Sequence, residues 1–318
     1  MGDAVQLPWD VPIVQAPIGP ATTPDLVASV SAVGALGTLA ASWTEPAKLS
    51  DQIRAIRAAT SNPFCVNLVL AFDQRERLEV VLAERVRVVS FSWGTDAQLI
   101  GRARAAGAFV LVQVGDFEEA KAASGAGATG LIAQGVEAGG HVQGTTPLLT
   151  LVREISAALV LPVVAAGGIA DSPGARHALD AGAQAVACGT AFLAASEADV
   201  HEYYRGRLLA AGACDTELTD LFDVGWPNAP HRVIRNRTMT EWEAAGRPPS
   251  GRRPGEGGVV AKRGRAQMVR YSDAQPTSST DGDIEAMAMY AGTGVDHVRR
   301  AASSAAIVEG IARSVRPR

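Results

Sequence analysis

Residues 163–190 read VVAAGGIADSPGARHALDAGAQAVACGT and contain a complete strand–helix–strand unit. The apolar runs 163–166 and 185–188 predict two buried strands, and residues 174–181 between them have the spacing of a helix. Glycine follows each apolar run, and Gly182 follows the helical stretch as a C-cap glycine does. Strand, helix and strand in this order indicate two parallel strands joined by a crossover helix.

The same alternation runs through the first two thirds of the chain. The eight predicted strands are 13–16, 36–40, 64–70, 86–91, 109–114, 130–133, 163–166 and 185–188. The seven predicted helices are 24–33, 46–59, 75–85, 96–106, 117–125, 148–159 and 174–181. Seven helices between eight evenly spaced strands predict an α/β protein with a (β/α)8 TIM barrel. An open, doubly wound sheet is the alternative, because alternation alone does not show closure.

Composition supports a buried parallel sheet and restricts the partners. Hydrophobic residues make up 47% of the chain and aromatic residues only 5%, so the core consists of Ala, Val, Leu and Ile. A net charge of −4 gives no reason to expect nucleic acid or a membrane as the main partner. The sequence shows neither a membrane span nor a signal peptide, and we expect a cytoplasmic protein.

The three cysteines show no pattern of a metal site. Cys65, Cys188 and Cys214 are scattered, without the short spacing that metal ligands have. Cys65 and Cys188 fall in predicted strands, where a reduced cysteine acts as a small apolar side chain. We therefore expect no metal ion and buried, inert thiols in the barrel strands.

The alternation stops after the eighth strand. Residues 201–290 contain short helical pieces and a Gly/Pro/Arg-rich stretch at 246–265, and barrel-like helical character returns at about 295–315. We expect a barrel of residues 1–200 and 291–318 and an inserted lid or substrate subdomain of residues 201–290. An insertion there leaves from the carboxyl ends of the strands, where barrel active sites lie.

The Gly/Pro/Arg-rich stretch is expected to be mobile. Its basic residues are interpreted as a solvated face, with binding of a nucleotide phosphate as the alternative. These residues are Arg247, Arg252, Arg253, Lys262, Arg263 and Arg265.

Glycines at the ends of strands seven and eight indicate a phosphate site. Gly167 and Gly168 follow one strand, and Gly189 and Thr190 follow the next. In phosphate-binding barrels these two loops and a short helix hold the anion by backbone N–H groups. Tight turns are the alternative for either signal alone, whereas two signals at consecutive strand ends favour a phosphate-bearing ligand.

The octapeptide 134–141, QGVEAGGH, begins where the sixth predicted strand ends. Its glycines let backbone N–H groups approach a ligand closely. His141 ends this loop, and the ordinary pKa of histidine suits proton transfer near neutrality. We interpret the segment as a ligand loop with an acid/base group, in which Glu137 orients the loop through backbone donors.

Amide side chains recur at the predicted barrel mouth. Asn67, Gln113 and Gln134 lie in or after otherwise apolar strands, where a buried amide without a partner costs ~1–3 kcal/mol. A single buried amide is explained most simply by a structural hydrogen-bond partner. Three amides at one barrel mouth favour a heterocyclic ligand. Ala16, Pro17 and Ile18 end strand one and leave room for a flat ligand.

These segments together resemble the nitronate monooxygenase family, formerly the 2-nitropropane dioxygenases. The family consists of FMN-dependent barrels allied to the flavin-dependent enoyl-ACP reductases. The resemblance covers about residues 11–196 and resumes at 290–295. It rests on the following segments in this order: Gln15-Ala16-Pro17, Asn67, the octapeptide 134–141, Ala166–Asp171 and Cys188-Gly189-Thr190.

The resemblance implies one FMN and assigns residues to it. Asn67, Gln134 and Gly139 would contact the isoalloxazine ring or ribityl chain, and the glycines and threonine after strands seven and eight would hold the phosphate. His141 would be the catalytic residue, either as a base or as a hydrogen-bond donor to the nitro group. The cofactor-binding set is Ala16, Pro17, Ile18, Asn67, Gln113, Gln134, Gly139, Gly140, Gly167, Gly168, Ala187, Cys188, Gly189 and Thr190.

Three functions follow from these interpretations. The leading one is oxidation of an alkyl nitronate, or a nitroalkane, by O2 to a carbonyl compound and nitrite. The second keeps FMN but uses NAD(P)H to reduce an enoyl thioester or quinone. The third is a flavin-free barrel that binds a phosphorylated metabolite, or one that has lost activity and serves as a scaffold. The remaining histidines, His177, His201, His231 and His297, are expected at the surface or in packing, and His231 is the one whose loop can reach the site.

Overall fold

The fold is a closed barrel of eight parallel strands in a computed structural model that describes residues 6–315. The barrel strands are β1 (Ile13–Gln15), β2 (Gly37–Ala40), β3 (Phe64–Val69), β4 (Val88–Ser92), β5 (Phe109–Val114), β6 (Gly130–Gln134), β8 (Val163–Ala166) and β9 (Ala185–Cys188). A two-residue strand, β7 (Gly140–His141), lies in the loop after β6.

The strand order β1-β9-β8-β6-β5-β4-β3-β2 brings the first two strands to the two ends of the sheet. These ends then meet, because the Gln15 N–H donates to the Leu36 carbonyl at 2.9 Å and the Leu36 N–H donates to the Ile13 carbonyl at 2.9 Å. The predicted TIM barrel is confirmed, and the open sheet is wrong.

Helices between the strands complete the barrel. They are α1 (Pro24–Ala32), α2 (Pro46–Ala59), α3 (Arg75–Ala83), α4 (Ala97–Ala105), α5 (Phe117–Gly125), α6 (Leu148–Ala158), α7 (Ser172–Asp180) and the short α8 (Thr190–Leu193). Side chains of Thr23, Asp96, Asp116 and Asp171 cap four of them by accepting amide N–H groups, which fixes where these helices begin. The predicted barrel elements agree with the observed bounds within two residues.

Two apolar layers hold the barrel. Inside it, small side chains such as Cys65, Val88 and Leu111 form one cluster, which Trp9 covers by edge-to-face packing on Phe109. The larger cluster lies between strands and helices and contains mostly Ala, Val, Leu and Ile. Alternate residues of each strand face the two layers, and this explains the near-continuous apolar runs in the sequence.

The segment after β9 contains more strand than the sequence indicated. Its elements are α9 (Glu202–Ala210), β10 (Thr216–Thr219), β11 (His231–Ile234), α10 (Arg237–Ala244), β12 (Val259–Arg263), β13 (Ala266–Val269) and β14 (Thr280–Gly282). Two three-stranded sheets result, β10-β11-β7 and β13-β12-β14. The expected short helical pieces are present as α9 and α10, whereas the five strands β10–β14 were not predicted. The last helix, α11 (Ser304–Ala312), also begins later than about residue 295.

The packing shows which parts of residues 201–290 belong with the barrel. Tyr204 and Leu208 of α9 lie in the main barrel cluster. In contrast, Phe222, Val233 and Tyr271 belong to a separate cluster within the inserted segment. The domain boundaries themselves stay a prediction, and so does the mobility of residues 246–265.

Arg253 corrects the interpretation of the basic cluster as a solvated face. Its side chain is only 4% exposed and forms ion pairs with Asp223 at 2.9 Å and Glu256 at 2.5 Å. The guanidinium also lies over the Tyr271 ring at 4.3 Å and donates to the Leu221 carbonyl at 3.0 Å. Arg253 therefore ties the inserted loops together as a buried cation, whereas Arg252, Lys262 and Arg265 are exposed.

Candidate active site

The octapeptide loop and the inserted segment meet at the carboxyl ends of the barrel strands. β7 pairs antiparallel with β11, placing His141 opposite His231 and Gly140 opposite Arg232. The Val142 N–H extends this pairing to the Pro230 carbonyl at 2.7 Å. The ligand loop predicted from the sequence is thus one edge of the small sheet β10-β11-β7.

Glutamine side chains fix the path of this loop. Gln134 donates to the His141 carbonyl at 3.1 Å and accepts the Gln143 N–H at 2.8 Å. Gln143 in turn accepts from the Trp93 N–H at 3.0 Å and from the Gln113 amide at 3.3 Å. Gln113 and Gln134 therefore converge as predicted, but both have partners within the protein.

Asn67 also has partners within the barrel. Its side-chain oxygen accepts from the Ser90 hydroxyl at 2.9 Å, and its amide nitrogen lies 3.4 Å from the Ser92 hydroxyl oxygen. The side chain is 5% exposed. These two bonds are the structural partners that a buried amide needs. Contact of Asn67 with a cofactor stays a prediction.

Four rings surround the His141 imidazole. Trp226 stacks on it with ring centroids 4.3 Å apart and an interplanar angle of 28°, and His231, Tyr290 and Trp93 lie at 5.3, 5.6 and 6.1 Å. The Nε2 atom is buried and has no hydrogen-bond partner within residues 6–315. Burial, with a smaller contribution from His231, lowers the pKa of His141 from 6.5 to about 3. His141 is therefore a neutral imidazole, unlike the near-neutral titrating group that the sequence suggested.

His231 is fully buried, as expected for a packing residue. It packs beside His141, within the candidate site. Its Nε2 accepts the Phe222 N–H at 3.2 Å, and its Nδ1 lies 2.9 Å from the Ala229 carbonyl oxygen. Since Nε2 accepts, the proton must reside on Nδ1 and point to Ala229. Burial lowers the pKa of His231, which favours this neutral form.

The predicted phosphate loops lie side by side with an open set of donors. Gly167 and Gly168 have φ of +122° and +68°, which only glycine adopts without strain. The amide N–H groups of Gly168, Gly189 and Thr190 make no backbone hydrogen bond to any residue between 6 and 315. A Cβ on Gly189 would lie 3.5 Å from Ile18, so the end of β1 borders the same space.

A segment before the last helix closes this region from the other side. The Thr190 hydroxyl accepts the Gly292 N–H at 3.0 Å, and the Thr293 N–H donates to the Glu137 carbonyl at 3.0 Å. Gly139 has no room for a side chain, because a Cβ there would lie 2.5 Å from the Ala291 carbonyl carbon. Segments 137–139, 189–190 and 291–293 therefore pack as one unit.

Two of the predicted cofactor residues, which are neighbours on β9, face opposite sides of the barrel wall. The Cys188 side chain packs in the cluster between strands and helices, and burial raises its pKa to about 12. The Ala187 side chain faces the barrel interior. Only the backbone of Cys188 can reach a ligand at the strand ends, whereas the Ala187 side chain lies beside Ala16 and Ala166 and its contact with a cofactor stays a prediction.

The structure adds residues that sequence reasoning missed. Trp93, Trp226 and Tyr290 enclose His141, and Arg232 donates to the Val136 carbonyl at 2.9 Å. Glu137 accepts the Leu148 N–H at 3.0 Å, which confirms that it orients the loop through a backbone donor. No spacing in the sequence links Trp226 to His141, because their contact depends on the pairing of β11 with β7. Within the described residues, no group of three or more His, Cys, Asp and Glu side chains could hold a metal ion.

Solved structures of similar fold define the class of protein. FabK from Thermotoga maritima superposes with a TM-score of 0.81 at 29% identity, covering 96% of this chain and 93% of FabK. Nitroalkane oxidase from Streptomyces ansochromogenes gives a TM-score of 0.77 at 29% identity, covering 97% and 96%. A TIM barrel with its candidate site at the carboxyl ends of the strands is the class that fold and site define.

The family model of nitronate monooxygenase matches residues 6–76 and 70–313. The chain belongs to the nitronate monooxygenase family. Nitronate monooxygenase from Pseudomonas aeruginosa is 36% identical over 286 residues, covering 75% of this chain and 80% of that protein.

A differently named relative is also similar. The (3aS,4S,5R,7aS)-5-hydroxy-7a-methyl-1-oxo-octahydro-1H-indene-4-carboxyl-CoA dehydrogenase of Mycobacterium tuberculosis is 37% identical over 239 residues, or 74% of this chain. The matched part covers 66% of that dehydrogenase, just under two thirds of its length. The two relatives therefore carry different names, one that of a monooxygenase and the other that of a dehydrogenase of a CoA thioester. No helix within residues 6–315 is long and apolar enough to cross a membrane.

Proposed function

We propose that this protein is an FMN-dependent nitronate monooxygenase that converts alkyl nitronates, with O2, to carbonyl compounds and nitrite. The observation that carries the proposal is the neutral His141, whose Nε2 is buried without a partner at the barrel mouth. A buried polar atom without a partner is costly unless a ligand meets it. We assign the nitronate to this position, because the chain belongs to the nitronate monooxygenase family.

The open donors after β8 and β9 support FMN as the cofactor. The N–H groups of Gly168, Gly189 and Thr190 are without backbone partners among the described residues, and the left-handed glycines bring backbone close to a bound anion. A terminal phosphate suits this set of donors. FMN, when bound, supplies the redox chemistry, while the protein supplies placement and electrostatics. Asn67, Gln113, Gln134, Gly139 and Gly140 would face its ring or ribityl chain.

His141 would act as a hydrogen-bond donor to the nitronate. A nitronate is already an anion, so it needs charge compensation rather than a base. A neutral imidazole with Nε2–H can donate to a nitro oxygen, and the surrounding rings keep water out of that contact. The low pKa makes His141 a weak base, which favours donation over removal of an α-proton from a nitroalkane.

The inserted segment would serve as the lid of this site. β11 is joined to β7, and the loop before β11 carries Trp226 onto His141. Residues 221–290 contain two apolar clusters of their own, so the inserted segment can form a cover that does not depend on the barrel core. We therefore assign substrate enclosure to residues 201–290.

A second candidate is an FMN-dependent oxidoreductase that works with NAD(P)H on a thioester or quinone. It is favoured by the 37% identical relative, which is named as a dehydrogenase of a CoA thioester. The two candidates share the cofactor and differ in the electron donor.

Spectra and product analysis of the purified protein test both steps. We expect a yellow protein that releases one non-covalent FMN per chain on denaturation, and nitrite when an alkyl nitronate is added in air. The variant Gly168→Val should lose FMN, because the new side chain would meet Thr293 and Glu137. Full FMN occupancy in that variant contradicts the phosphate placement. Rapid bleaching by NAD(P)H without any response to nitronates selects the second candidate, and a colourless folded protein rejects both.

A further inference from the structure

The strongest unexplained feature of the site is the ring that covers His141. The Trp226 indole is 8% exposed and stacks on His141, and it also contacts Trp93 at 4.8 Å and Phe72 at 5.2 Å. Trp43 lies at 6.1 Å on the outer edge and is 57% exposed. These rings come from loops after β2, β3 and β4 and from the insertion, so they span the barrel mouth. A substrate cannot reach Nε2 of His141 while every ring stays in place.

Two of the four rings around His141 are tethered by hydrogen bonds of their own atoms, and the third, Trp93, is tethered through its backbone only. The Tyr290 hydroxyl donates to the Asp273 carbonyl at 2.8 Å, and both nitrogens of His231 are engaged with backbone groups. The backbone of Trp93 is held by Gln143 at 3.0 Å. Displacing the Tyr290 or His231 ring would break hydrogen bonds in a buried environment, whereas the Trp93 indole can turn without breaking the bond of its backbone N–H.

Trp226 is different, because neither its backbone nor its indole makes a hydrogen bond to another described residue, and only packing against aromatic rings, Val69 and Ala229 holds it. Its loop is fastened to other segments at the two ends. The Val224 N–H donates to the Tyr271 carbonyl at 3.0 Å, and the Pro230 carbonyl accepts the Val142 N–H at 2.7 Å. Between these points Gly225 and Asn228 have positive φ, which marks sharp turns on either side of the tryptophan.

We propose that Trp226 is the gate of the active site, and that its indole occupies the slot that a planar or cyclic apolar group of the substrate fills. The proposal rests on the proposed function, in which a small molecule meets His141. When the indole moves out, the slot is lined by His141, Trp93 and Phe72, which suits a ring better than a short linear chain. A short substrate displaces the indole but leaves the slot unfilled. The enzyme should therefore prefer ring-bearing substrates.

Steady-state kinetics of the holoenzyme test the gate. We expect wild type to favour the nitronate of phenylnitromethane over ethyl nitronate in kcat/KM by about tenfold or more. Trp226→Ala removes the ring that both substrates must displace, and should lower KM for both by about three- to tenfold. The preference for the aryl substrate should survive, whereas Phe72→Ala should reduce it. A raised KM in Trp226→Ala, or a lost aryl preference, means that Trp226 is a fixed wall and overturns the gate.

Two measurements need no turnover, so they separate failure of the gate from failure of the proposed function. In NMR titrations the His141 imidazole of the wild type should stay neutral at pH 5. In Trp226→Ala the pKa of His141 should lie much closer to its ordinary value of 6.5, and in Trp226→Phe it should lie between the two. Hydrogen exchange of the wild-type holoenzyme should be faster at residues 225–229 than at His231–Ile234. Equal protection of these two segments overturns the gate even if Trp226→Ala does not fold. If the NMR and hydrogen-exchange results are as expected but no nitronate is turned over, the role of Trp226 stands and the proposed nitronate substrate is rejected.

Discussion

Replacing His141 tests the role of the imidazole as a neutral donor. The Nε2 atom is buried and unpartnered among the described residues, and the enclosing rings exclude water. Removing one preorganised donor from such a site slows the reaction by ~10²–10³-fold. We therefore expect His141→Ala to reduce nitronate turnover by about that factor. FMN should stay bound, because the phosphate donors lie on other loops.

The same variant separates donor from base when two forms of one substrate are compared. A base is needed only for the neutral nitroalkane, and its loss costs ~10²–10⁴-fold for that form alone. A donor matters equally for the preformed nitronate. Because the pKa of His141 is lowered to about 3, we expect similar losses for both forms.

The pH dependence of the rate tests the lowered pKa of His141. A lowered histidine pKa means that the imidazole gains its proton only well below pH 5, so the rate with preformed nitronate should be flat from about pH 5 to 9. Stopped-flow measurement of flavin reduction gives both the profile and the rate losses. His177→Ala is the matched control, since His177 is exposed on α7. A loss confined to the nitroalkane, or an acid limb near pH 6.5, would refute the donor role.

Three further predictions concern stability and reactivity. Gly139→Ala places a Cβ against the backbone of residues 291–292 and should lower the free energy of unfolding in urea by ~1–3 kcal/mol. The control Gly101→Ala, which has open space around it on α4, should be neutral or stabilising. Equal effects of the two substitutions would contradict the close packing of Gly139. Arg253→Met leaves the Asp223 and Glu256 carboxylates without their cation and should lower the free energy of unfolding by ~3 kcal/mol. The control Arg247→Met, at a side chain that is 62% exposed, should change it by about zero. A loss under ~1 kcal/mol in Arg253→Met would show that the buried cation is dispensable. A thiol reagent should label only the exposed Cys214 in native protein, because burial raises the pKa of the two strand cysteines to about 12, and labelling of either strand cysteine argues against this packing.

The barrel was predictable because its signal is local. Each strand of a parallel barrel is buried on both faces, so it leaves an apolar run, and each helix begins at a capping residue such as Asp116 or Asp171. The inserted strands carry no such signal, since they are short and expose polar or charged residues, as in Val259–Arg263. β11 pairs with a strand about ninety residues earlier, so its partner cannot be read from neighbouring sequence.

The site was predictable in its backbone elements and not in its environment. Glycine loops and the position of His141 follow from residue types at strand ends. The lowered pKa of His141 depends on which rings cover it, and Trp226 reaches it from a distant loop. The sequence also could not distinguish Arg253 from the exposed basic residues near it. A basic stretch shows which residues carry charge, but not which of them form buried ion pairs with distant residues such as Asp223.

Anaerobic mixing of the oxidised holoenzyme with an alkyl nitronate, and separately with NADH and NADPH, tests the central claim most directly. The absorbance of the bound flavin reports electron transfer in each case without the need for a product assay. We expect fast, saturable bleaching by the nitronate and at most slow bleaching by either nicotinamide. Bleaching by NADH or NADPH with no response to the nitronate would contradict the proposed reaction.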